Sequence, residues 1–415
     1  MIELIILASL GVALAAYALV AVKDKSSFNV FTPVYLTFIP GYYLLELVHI
    51  HIFGYSGRPS TYLFCYATYG LLFLFLALAY TRFPSYHLRL PFNVRHEIRY
   101  LPYVAFVLAV LAYLPILIEY RDLILSPRVI YARTRVGYGH MYFTSTALVY
   151  LAYILCLFKT QAFKGEKLWF FLLCTLWCFA HGSKGQVVIL IMIGLMYRVL
   201  VRDKRARLST VAAYSLGFAV SLGSLFYLFS DSMRDGELDV LAGVASYADY
   251  NRNAMMLIED DPDLPFGRLT LEQAVYSRVP RVLYPDKPYD WGTFALAKKY
   301  YPVWFEKHIG SASFGILGVP FADFGHFAII YLTFWVVVTG ILLKIFVTRL
   351  RRHRDPSDFI VVLFLANVVV IPSGVGYTLP EHLLLALLVS IVLRIRLVLR
   401  RSSALMVHPQ SAGAV

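Results

Sequence analysis

Four arginines lie close together between two apolar segments of the chain, and their side chains are suited to binding an anion. They are Arg121, Arg128, Arg133 and Arg135, and the last three belong to the sequence SPRVIYARTRVG. A guanidinium group stays charged and can bind phosphate oxygens through two parallel hydrogen bonds. Pro127 favours the start of a helix, on which Arg128 and Arg135 would share a face. The alternative is a solvated loop whose arginines reach lipid headgroups.

A second group of cations lies in a long hydrophilic segment from Asp231 to about Gly325. One part of it, YSRVPRVLYPDKPYDWG, combines positive charge with aromatic rings, and its prolines restrict the backbone that displays them. Aromatic faces stack on sugar rings, so this pattern is suited to a phosphorylated sugar. The candidate anion-binding residues are Arg252, Arg278, Arg281 and Lys287, and the candidate stacking residues are Tyr284, Tyr289 and Trp291.

Two short hairpins between apolar segments carry further polar groups. They are HGSKG at His181–Gly185 and GVGYTLPEH at Gly374–His382. Their glycines allow a close approach of backbone to a ligand, and Lys184 supplies a point charge for a phosphate. Ionisable residues at membrane depth are costly, which favours a function for Lys184, Glu381 and His382. Each of them could equally be an ordinary group at a helix end.

Several acidic residues could take part in proton transfer or metal binding. Asp323, in the sequence FADFG, is a candidate general base together with Glu381 and His382, and Asp249 is a less favoured candidate. The alternative for Asp323 is that it caps the helix that follows it. A run of four carboxylates could bind a hard cation but is more often a solvated turn, so no metal site is predicted. The run consists of Glu259, Asp260, Asp261 and Asp263.

The elements that must position these residues are membrane-spanning helices. Hydrophobic residues make up 59% of the 415 positions, and the mean hydropathy is +0.66. Apolar runs of about twenty residues, the length that crosses a hydrocarbon core, recur along the chain. We therefore predict an all-α, polytopic integral membrane protein with about eleven spans. The predicted spans are 2–22, 30–50, 61–80, 101–119, 141–158, 167–181, 186–201, 209–230, 325–348, 358–376 and 380–399.

The distribution of lysine and arginine predicts the orientation of these spans. Connections after odd-numbered spans, with the C-terminal pair Arg400 and Arg401, contain 19 such residues, and the opposite short connections contain 6. Positive charge accumulates on the cytoplasmic side, so the N-terminus is predicted to lie outside and the C-terminus inside. The net charge of +13 then reflects anchoring at anionic headgroups, and no nucleic-acid partner is expected. The arginine segment, in contrast, falls on the outer side.

Hydropathy also predicts the division of the chain into regions. Residues 1–230 would form spans one to eight, 231–324 a large outer loop, 325–400 spans nine to eleven, and 401–415 a cytoplasmic tail. Helical spacing within Val240–Ile258 and Leu269–Val279 predicts that the loop forms a small helical cap. The four cysteines fall in or beside apolar spans, where packing is their simplest use.

Three of these segments, in this order, resemble a known family. The chain is similar to the Wzy-type O-antigen polymerases, the membrane enzymes that polymerise oligosaccharide repeat units in bacterial surface polysaccharide synthesis. The matching pieces are GSKG, RVPRVLYPDKP and GSASFGILGVPFADFG, together with the span count and the single large outer loop. Lys184 stands where the family commonly has arginine, which keeps the charge but loses the bidentate geometry.

The resemblance implies a glycosyltransferase with a GT-C-like fold in the bacterial inner membrane. The outer side, where the charge count places the N-terminus, would then be the periplasm. Such an enzyme transfers a growing glycan from undecaprenyl pyrophosphate to a newly delivered repeat unit on the same kind of carrier. Cations would stabilise the diphosphate leaving group, and a base would receive the proton of the acceptor hydroxyl. No cofactor is implied. The implied partners are the lipid-linked glycan, membrane lipids and a co-polymerase that regulates chain length.

Two other functions share the same composition. An O-antigen ligase uses the same donor but transfers the glycan to a lipid A core; a catalytic histidine in the large loop is typical of ligases, and His308 lies in the poorly matching sequence KHIGS. A flippase or transporter would only bind the lipid-linked glycan, and it would need charges at the membrane midplane. The candidate charges of this chain concentrate in outer connections instead.

Overall fold

The computed structural model describes a helical membrane protein. The described residues are 1–84, 100–124, 126–134, 138–159, 165–182, 184–203, 245, 248–260, 265–276, 279, 283–306, 312–370, 386–388 and 391. Within them the α-helices are α1 (Ile2–Asp24), α2 (Thr32–Phe38), α3 (Leu45–Phe53), α4 (Pro59–Arg82), α5 (Leu101–Glu119), α6 (Pro127–Thr134), α7 (Gly139–Phe158), α8 (Glu166–Ala180), α9 (Lys184–Met196), α10 (Asp249–Glu259), α11 (Arg268–Tyr276), α12 (Thr293–Tyr300), α13 (Pro302–Glu306), α14 (Gly315–Phe324), α15 (Ala328–His353) and α16 (Pro356–Ala366). Single turns of π- or 3-10 helix lie at Ile39–Leu44, Arg121–Leu123, Tyr197–Val201 and Gly325–Phe327.

Six helical segments among the described residues are long and apolar enough to cross a membrane. They are Ile2–Asp24, Thr32–Phe53, Pro59–Arg82, Leu101–Glu119, Gly139–Phe158 and Gly315–His353. These segments coincide with predicted spans one to five and nine, and they make the chain a polytopic membrane protein. The shorter helices α8, α9 and α16 fall on predicted spans six, seven and ten. Span eight lies outside the described residues and span eleven almost wholly so, and the total of eleven stays a prediction.

The chain divides into two compact units. The first unit comprises Met1–Ser85, Arg202–Ile345 and Phe364–Leu379. The second unit comprises Tyr86–Val201, Phe346–Leu363 and Pro380–Val415. Helices α1–α4 and α10–α14 therefore belong to the first unit and α5–α9 to the second, while α15 contributes to both. The four regions predicted from hydropathy are continuous stretches of sequence, unlike these two units, and that division stays a prediction.

Tyrosines fill much of the core of the first unit, where α1 packs along α4. The hydroxyl of Ser9 donates to the carbonyl of Tyr66 and lies 2.9 Å from the hydroxyl of Tyr43. Gly70 lets the helices approach here, since a Cβ at that position would lie 3.2 Å from Ser9 Oγ. A buried tyrosine hydroxyl needs a hydrogen-bond partner. The tyrosines therefore fix the relative positions of the helices.

One end of the first unit carries the N-terminus and part of the large loop. Tyr55 donates to Glu3 at 2.6 Å, and the carboxylate of Glu259 accepts from the backbone of Arg58 and from the hydroxyl of Thr61 at 2.9 Å. Glu259, at the end of α10, therefore caps the start of α4. The N-terminus, the connection before α4 and the large loop thus share an end, as the alternation of spans predicts.

The large hydrophilic segment forms short helices where helical spacing predicted them. Helix α10 falls within Val240–Ile258 apart from its last residue, and α11 falls within Leu269–Val279 apart from its first. Helices α10, α11 and α12 pack on α14, which leads into the membrane-spanning α15. Their shared core contains Leu257, Leu269, Leu296, Phe314, Phe321, Ala322 and Ala328.

A close approach between α4 and α15 depends on Gly340. A Cβ at this position would lie 2.8 Å from the Cβ of Ala79 and 2.9 Å from the carbonyl oxygen of Leu76. One of these neighbours is backbone, which cannot move aside without displacing the helix. Only glycine fits here without a shift of one of the helices.

The variant Gly340→Ala is therefore expected to lower the free energy of unfolding by about 1–3 kcal/mol, the usual cost of overpacking, and with it the thermal unfolding midpoint. Gly11→Ala is the matched control, because nothing lies within 4 Å of the Cβ that it adds to helix α1. Replacing a helical glycine with alanine in open space is neutral or stabilising by about 0.5–1 kcal/mol. The measurement is the thermal unfolding midpoint of each purified variant in detergent. Equal midpoints for the two variants would contradict the packing at Gly340.

Candidate functional site

Helix α6 displays the central arginines of the first cationic segment, and it begins at Pro127 as predicted. Ile130 is 1% exposed and lies in an apolar cluster with Tyr113, Ile116 and Tyr142. The ring of Tyr131 also packs on Tyr142, with 5.4 Å between the ring centroids. These contacts anchor one face of α6 on α5 and α7, so the helix is a fixed element of the second unit.

The arginines themselves have different positions relative to α6. Arg133 is exposed in the last turn of the helix. Arg121 lies before the helix, is 79% exposed, and makes a loose 3.9 Å contact with Asp122. The side chain of Arg128 and the whole of Arg135 lie outside the described part of the chain, so their predicted common face stays a prediction.

The HGSKG hairpin forms the connection between α8 and α9. The backbone N–H groups of His181 and Gly182 close the end of α8 by donating to the carbonyls of Trp177 and Phe179 at 3.2 and 2.8 Å. Gly182 has a φ of +66°, a left-handed conformation that favours glycine. Lys184 begins α9. The N-terminus of a helix attracts anions, so this turn can contribute to an anion site.

A buried hydrogen-bond network holds this turn in position. The imidazole Nδ1 of His181 lies 2.8 Å from Gln186 Oε1, and its Nε2 lies 3.0 Å from Ser145 Oγ. The amide of Gln186 donates to Tyr142 and Thr146, each at 2.8 Å. Both nitrogens of His181 and both polar atoms of the Gln186 side chain have partners, so the network is a structural support.

The network also connects the turn to the arginine helix. The ring of Tyr142 lies 5.3 Å from the ring of His181 and 5.4 Å from that of Tyr131, measured between centroids. Helix α6 and the HGSKG turn therefore pack on the same tyrosine. The structure brings together two segments that the sequence separates by about fifty residues. Sequence reasoning noted the motif but missed the supporting role of His181 and Gln186.

Asp323 is fully buried in the first unit and binds the start of α11. Its carboxylate accepts hydrogen bonds from the backbone of Leu269 at 3.0 Å and of Thr270 at 2.7 Å, and from the hydroxyl of Thr270. Asp323 therefore caps α11, a helix more than fifty residues away in sequence, in the manner of an N-cap. These contacts match the alternative interpretation of Asp323 as a helix cap, although the helix that it caps is α11 and not the span that follows it. Its use as a base stays a prediction.

The aromatic residues of the Pro-rich segment divide into buried and exposed ones. Trp291 is 4% exposed and packs on Tyr276 and Phe294. Tyr284 and Tyr289 are 40% and 63% exposed. The two tyrosines are exposed enough to offer ring surface to a sugar, and the ring of Tyr284 also stacks on that of Tyr276, with 6.3 Å between the centroids. Trp291 is instead buried among protein side chains.

The cations of the same segment are described only in part. The ammonium of Lys287 lies 4.9 Å above the ring of Trp291 and donates to the carbonyl of Val279 at 3.1 Å. Arg252 is exposed on α10. Arg278 and Arg281 lie outside the described residues. Their roles in binding a diphosphate, like those of Lys287 and Arg252, stay predictions.

The acidic run after α10 binds protein groups at its first two positions. Glu259 caps α4, while Asp260 accepts from Lys299 at 3.0 Å and from Tyr300 at 2.6 Å. The hydrogen bond from Tyr300, followed by that from Lys299, lowers the pKa of Asp260. Within the described residues no group of three potential ligands could hold a metal ion. Asp261 and Asp263 lie outside that part of the chain, as do Glu381 and His382.

One buried acid escaped the reasoning from sequence. Glu46 is fully buried in α3, within the second membrane-spanning segment. The signal that could have found it is an acidic side chain inside an apolar span, because such residues are costly and are often functional.

Burial raises the pKa of Asp249 on α10, and the neighbouring Arg252 opposes that rise.

Comparison with known proteins confirms the resemblance noted from the sequence motifs. The chain is 33% identical over 372 residues to the O-antigen polymerase of Salmonella typhimurium and equally to that of Salmonella typhi. Each match covers 88% of this chain and 88% of the relative. No family model and no solved structure matches the chain. Identity at this level over most of both sequences shows that the chain belongs to the O-antigen polymerase family.

Proposed function

We propose that this protein polymerises O-antigen repeat units that are linked to undecaprenyl pyrophosphate, at the periplasmic face of the bacterial inner membrane. The name of the two Salmonella relatives supports the overall reaction. The observation that carries the proposed mechanism is the anchored helix α6, with its exposed Arg133, packed on the same tyrosine as the HGSKG turn. A cationic surface on a fixed element is what a diphosphate leaving group requires.

In this reaction negative charge develops on the diphosphate leaving group. The acceptor hydroxyl attacks the anomeric carbon of the donor glycan, and the bond from that carbon to the diphosphate oxygen breaks. Cations that are already in place stabilise the negative charge on the departing oxygen. We assign this role to Arg128, Arg133, Arg135 and Lys184 of the second unit. Guanidinium and ammonium groups supply the stabilisation in a mechanism that needs no metal ion.

Polymerisation involves two lipid diphosphates, because donor and acceptor are both bound to the carrier. The first unit has cations of its own, Arg252, Arg278, Arg281 and Lys287, to which we also assign diphosphate binding. We also assign stacking on the glycan to the exposed Tyr284 and Tyr289. A co-polymerase that regulates chain length is expected only by analogy with the family.

The purified protein, incubated with a defined oligosaccharide on undecaprenyl pyrophosphate, is expected to form a ladder of products that differ by one repeat unit. Gel electrophoresis or mass spectrometry of the released glycans measures it. A ligase would instead require a lipid A core acceptor, and a flippase would leave the glycan length unchanged. Absence of a ladder with a correctly folded preparation would refute polymerase activity.

Replacing Arg133 with alanine is expected to lower the initial rate of polymerisation by about 10- to 100-fold. The reason is the loss of one charge-assisted hydrogen bond to the diphosphate, which contributes about 1.5–3 kcal/mol. Arg133→Lys should recover part of the rate, because it restores the charge without the bidentate geometry. Arg121→Ala is the matched control, since this exposed arginine lies before α6, and its rate should stay within about threefold of wild type. Equal losses in both alanine variants would argue for a general effect of surface charge.

Asp323→Asn is expected to lower thermal stability, because an amide cannot accept hydrogen bonds on both of its terminal atoms. The loss of such a cap costs about 0.5–2 kcal/mol. Thermal unfolding in detergent measures this, and the polymerisation rate per folded molecule is determined on the same samples. An unchanged unfolding midpoint, combined with a rate at least about 100-fold lower, would instead identify Asp323 as the general base.

A further inference from the structure

Two buried polar atoms on α3 have no hydrogen-bond partner among the residues that the structure describes. They are Oε2 of Glu46 and Nδ1 of His49, on side chains that are 0% and 5% exposed. Residues three positions apart lie on the same face of a helix. Glu46 lies seven residues before the end of α3, roughly 10 Å along a helix from the connection to α4. The two side chains therefore share one face of α3, close to the connection that leads to α4.

The other oxygen of Glu46 is held firmly. Tyr62, in the first turn of α4, donates to Oε1 at 2.7 Å. Asn251 of α10 lies near the Glu46 carboxylate. The Asn251 side chain is in turn fixed by hydrogen bonds to the Tyr42 carbonyl at 2.8 Å and to the Tyr66 hydroxyl at 3.1 Å. The carboxylate thus has a fixed position and one oxygen left for a further donor.

The turn that precedes α3 contributes to this arrangement. Residues Ile39–Leu44 form a π-helical turn that contains Pro40, and the carbonyl of Tyr42 within it accepts from both Asn251 and Tyr66. Such turns within helices occur frequently at functional sites. The turn therefore binds α10 through a backbone carbonyl that lies shortly before Glu46 in the sequence.

Leaving a buried carboxylate oxygen without a partner is destabilising, so stability does not explain Glu46. Three other buried carboxylates in the described part of the chain are satisfied by strong donors. Asp358 binds Arg349 through both oxygens at 2.8 Å, Glu166 binds Lys159, and Asp323 binds two backbone N–H groups. No cation within that part of the chain contacts Glu46 directly. Its unpartnered oxygen points to an interaction with a ligand.

A cation lies close to the site without neutralising it through contact. Arg252, exposed on α10, interacts electrostatically with both Glu46 and His49. Asp249, on the same helix, is half-buried and also interacts with Arg252. The buried carboxylate of Glu46 can take up a proton, while the exposed guanidinium of Arg252 can bind a diphosphate.

We propose that Glu46 is the general base for the acceptor sugar and that His49 binds a neighbouring hydroxyl of the same sugar. The assignment rests on the proposed polymerase function. The acceptor hydroxyl donates to Oε2 of Glu46 and transfers its proton to that oxygen as the hydroxyl oxygen forms the new bond to the anomeric carbon. The electron pair of the broken bond leaves on the diphosphate oxygen of the carrier, and Glu46 later returns its proton to water.

The test compares two glutamates that are both buried. Glu46→Gln keeps the shape of the side chain and an oxygen that can accept from Tyr62, but it cannot take up a proton. The initial polymerisation rate is expected to fall at least about 100-fold, while the donor affinity stays within about twofold of wild type. Glu166→Gln makes the same chemical change in the second unit, where the carboxylate pairs with Lys159. Its rate per folded molecule is expected to match wild type.

Each outcome of this experiment is decisive. A wild-type ladder formed at the wild-type rate by Glu46→Gln would overturn the inference, while the polymerase function would stand. No ladder from the folded wild-type protein would refute both. A rate in Glu166→Gln that falls as far as that in Glu46→Gln would identify a nonspecific effect of losing a buried charge and would likewise overturn the inference.

A second variant covers the case in which Glu46→Gln does not accumulate in the membrane. His49→Phe keeps the ring but removes both nitrogens, and it is expected to raise KM for the acceptor about tenfold with little change in kcat, the pattern of a lost binding contact. His49→Asn should restore part of the affinity. Unchanged KM in both variants would overturn the proposed sugar contact and, with it, the site.

Discussion

The side-chain amide of Asn251 joins the large hydrophilic segment to the membrane-spanning helices of the first unit. It donates to the carbonyl of Tyr42 and the hydroxyl of Tyr66, and it accepts from Tyr69 at 3.1 Å. In an apolar environment an unpartnered amide is costly, so this residue holds α10 at one position on the membrane helices. The capping of α4 by Glu259 and the placement of Arg252 beside Glu46 both depend on that position of α10.

The second unit uses the same principle around His181. Gln186 and Ser145 bind its two ring nitrogens, and Tyr142 packs on both the imidazole and helix α6. A buried polar network is rigid when all its members are satisfied. Preorganised charges are effective in catalysis because they need no rearrangement as the reaction proceeds. In each unit, a cation proposed for catalysis thus lies on an element fixed by buried hydrogen bonds.

Much of the architecture and of the family assignment was predictable from the sequence. Apolar runs of spanning length located the six spanning segments, since length and hydropathy are local properties. Pro127 predicted the start of α6, and the motifs GSKG and RVPRVLYPDKP identified the family. The contacts of Asp323 were not predictable in the same way. A cap on its own helix is a local pattern, but a cap on α11 requires knowing which helix packs beside α14.

The sequence by itself determined which segments are apolar, which connections are cationic and to which family the chain belongs, because composition and motif order need no knowledge of packing. Only the tertiary structure decided which polar groups find partners. It buried Trp291 among aromatic side chains and supplied both oxygens of Asp323 with donors, and within the described residues it left one oxygen of Glu46 without a donor. Hydrogen-bond satisfaction depends on residues distant in sequence, and it is therefore a property of the fold.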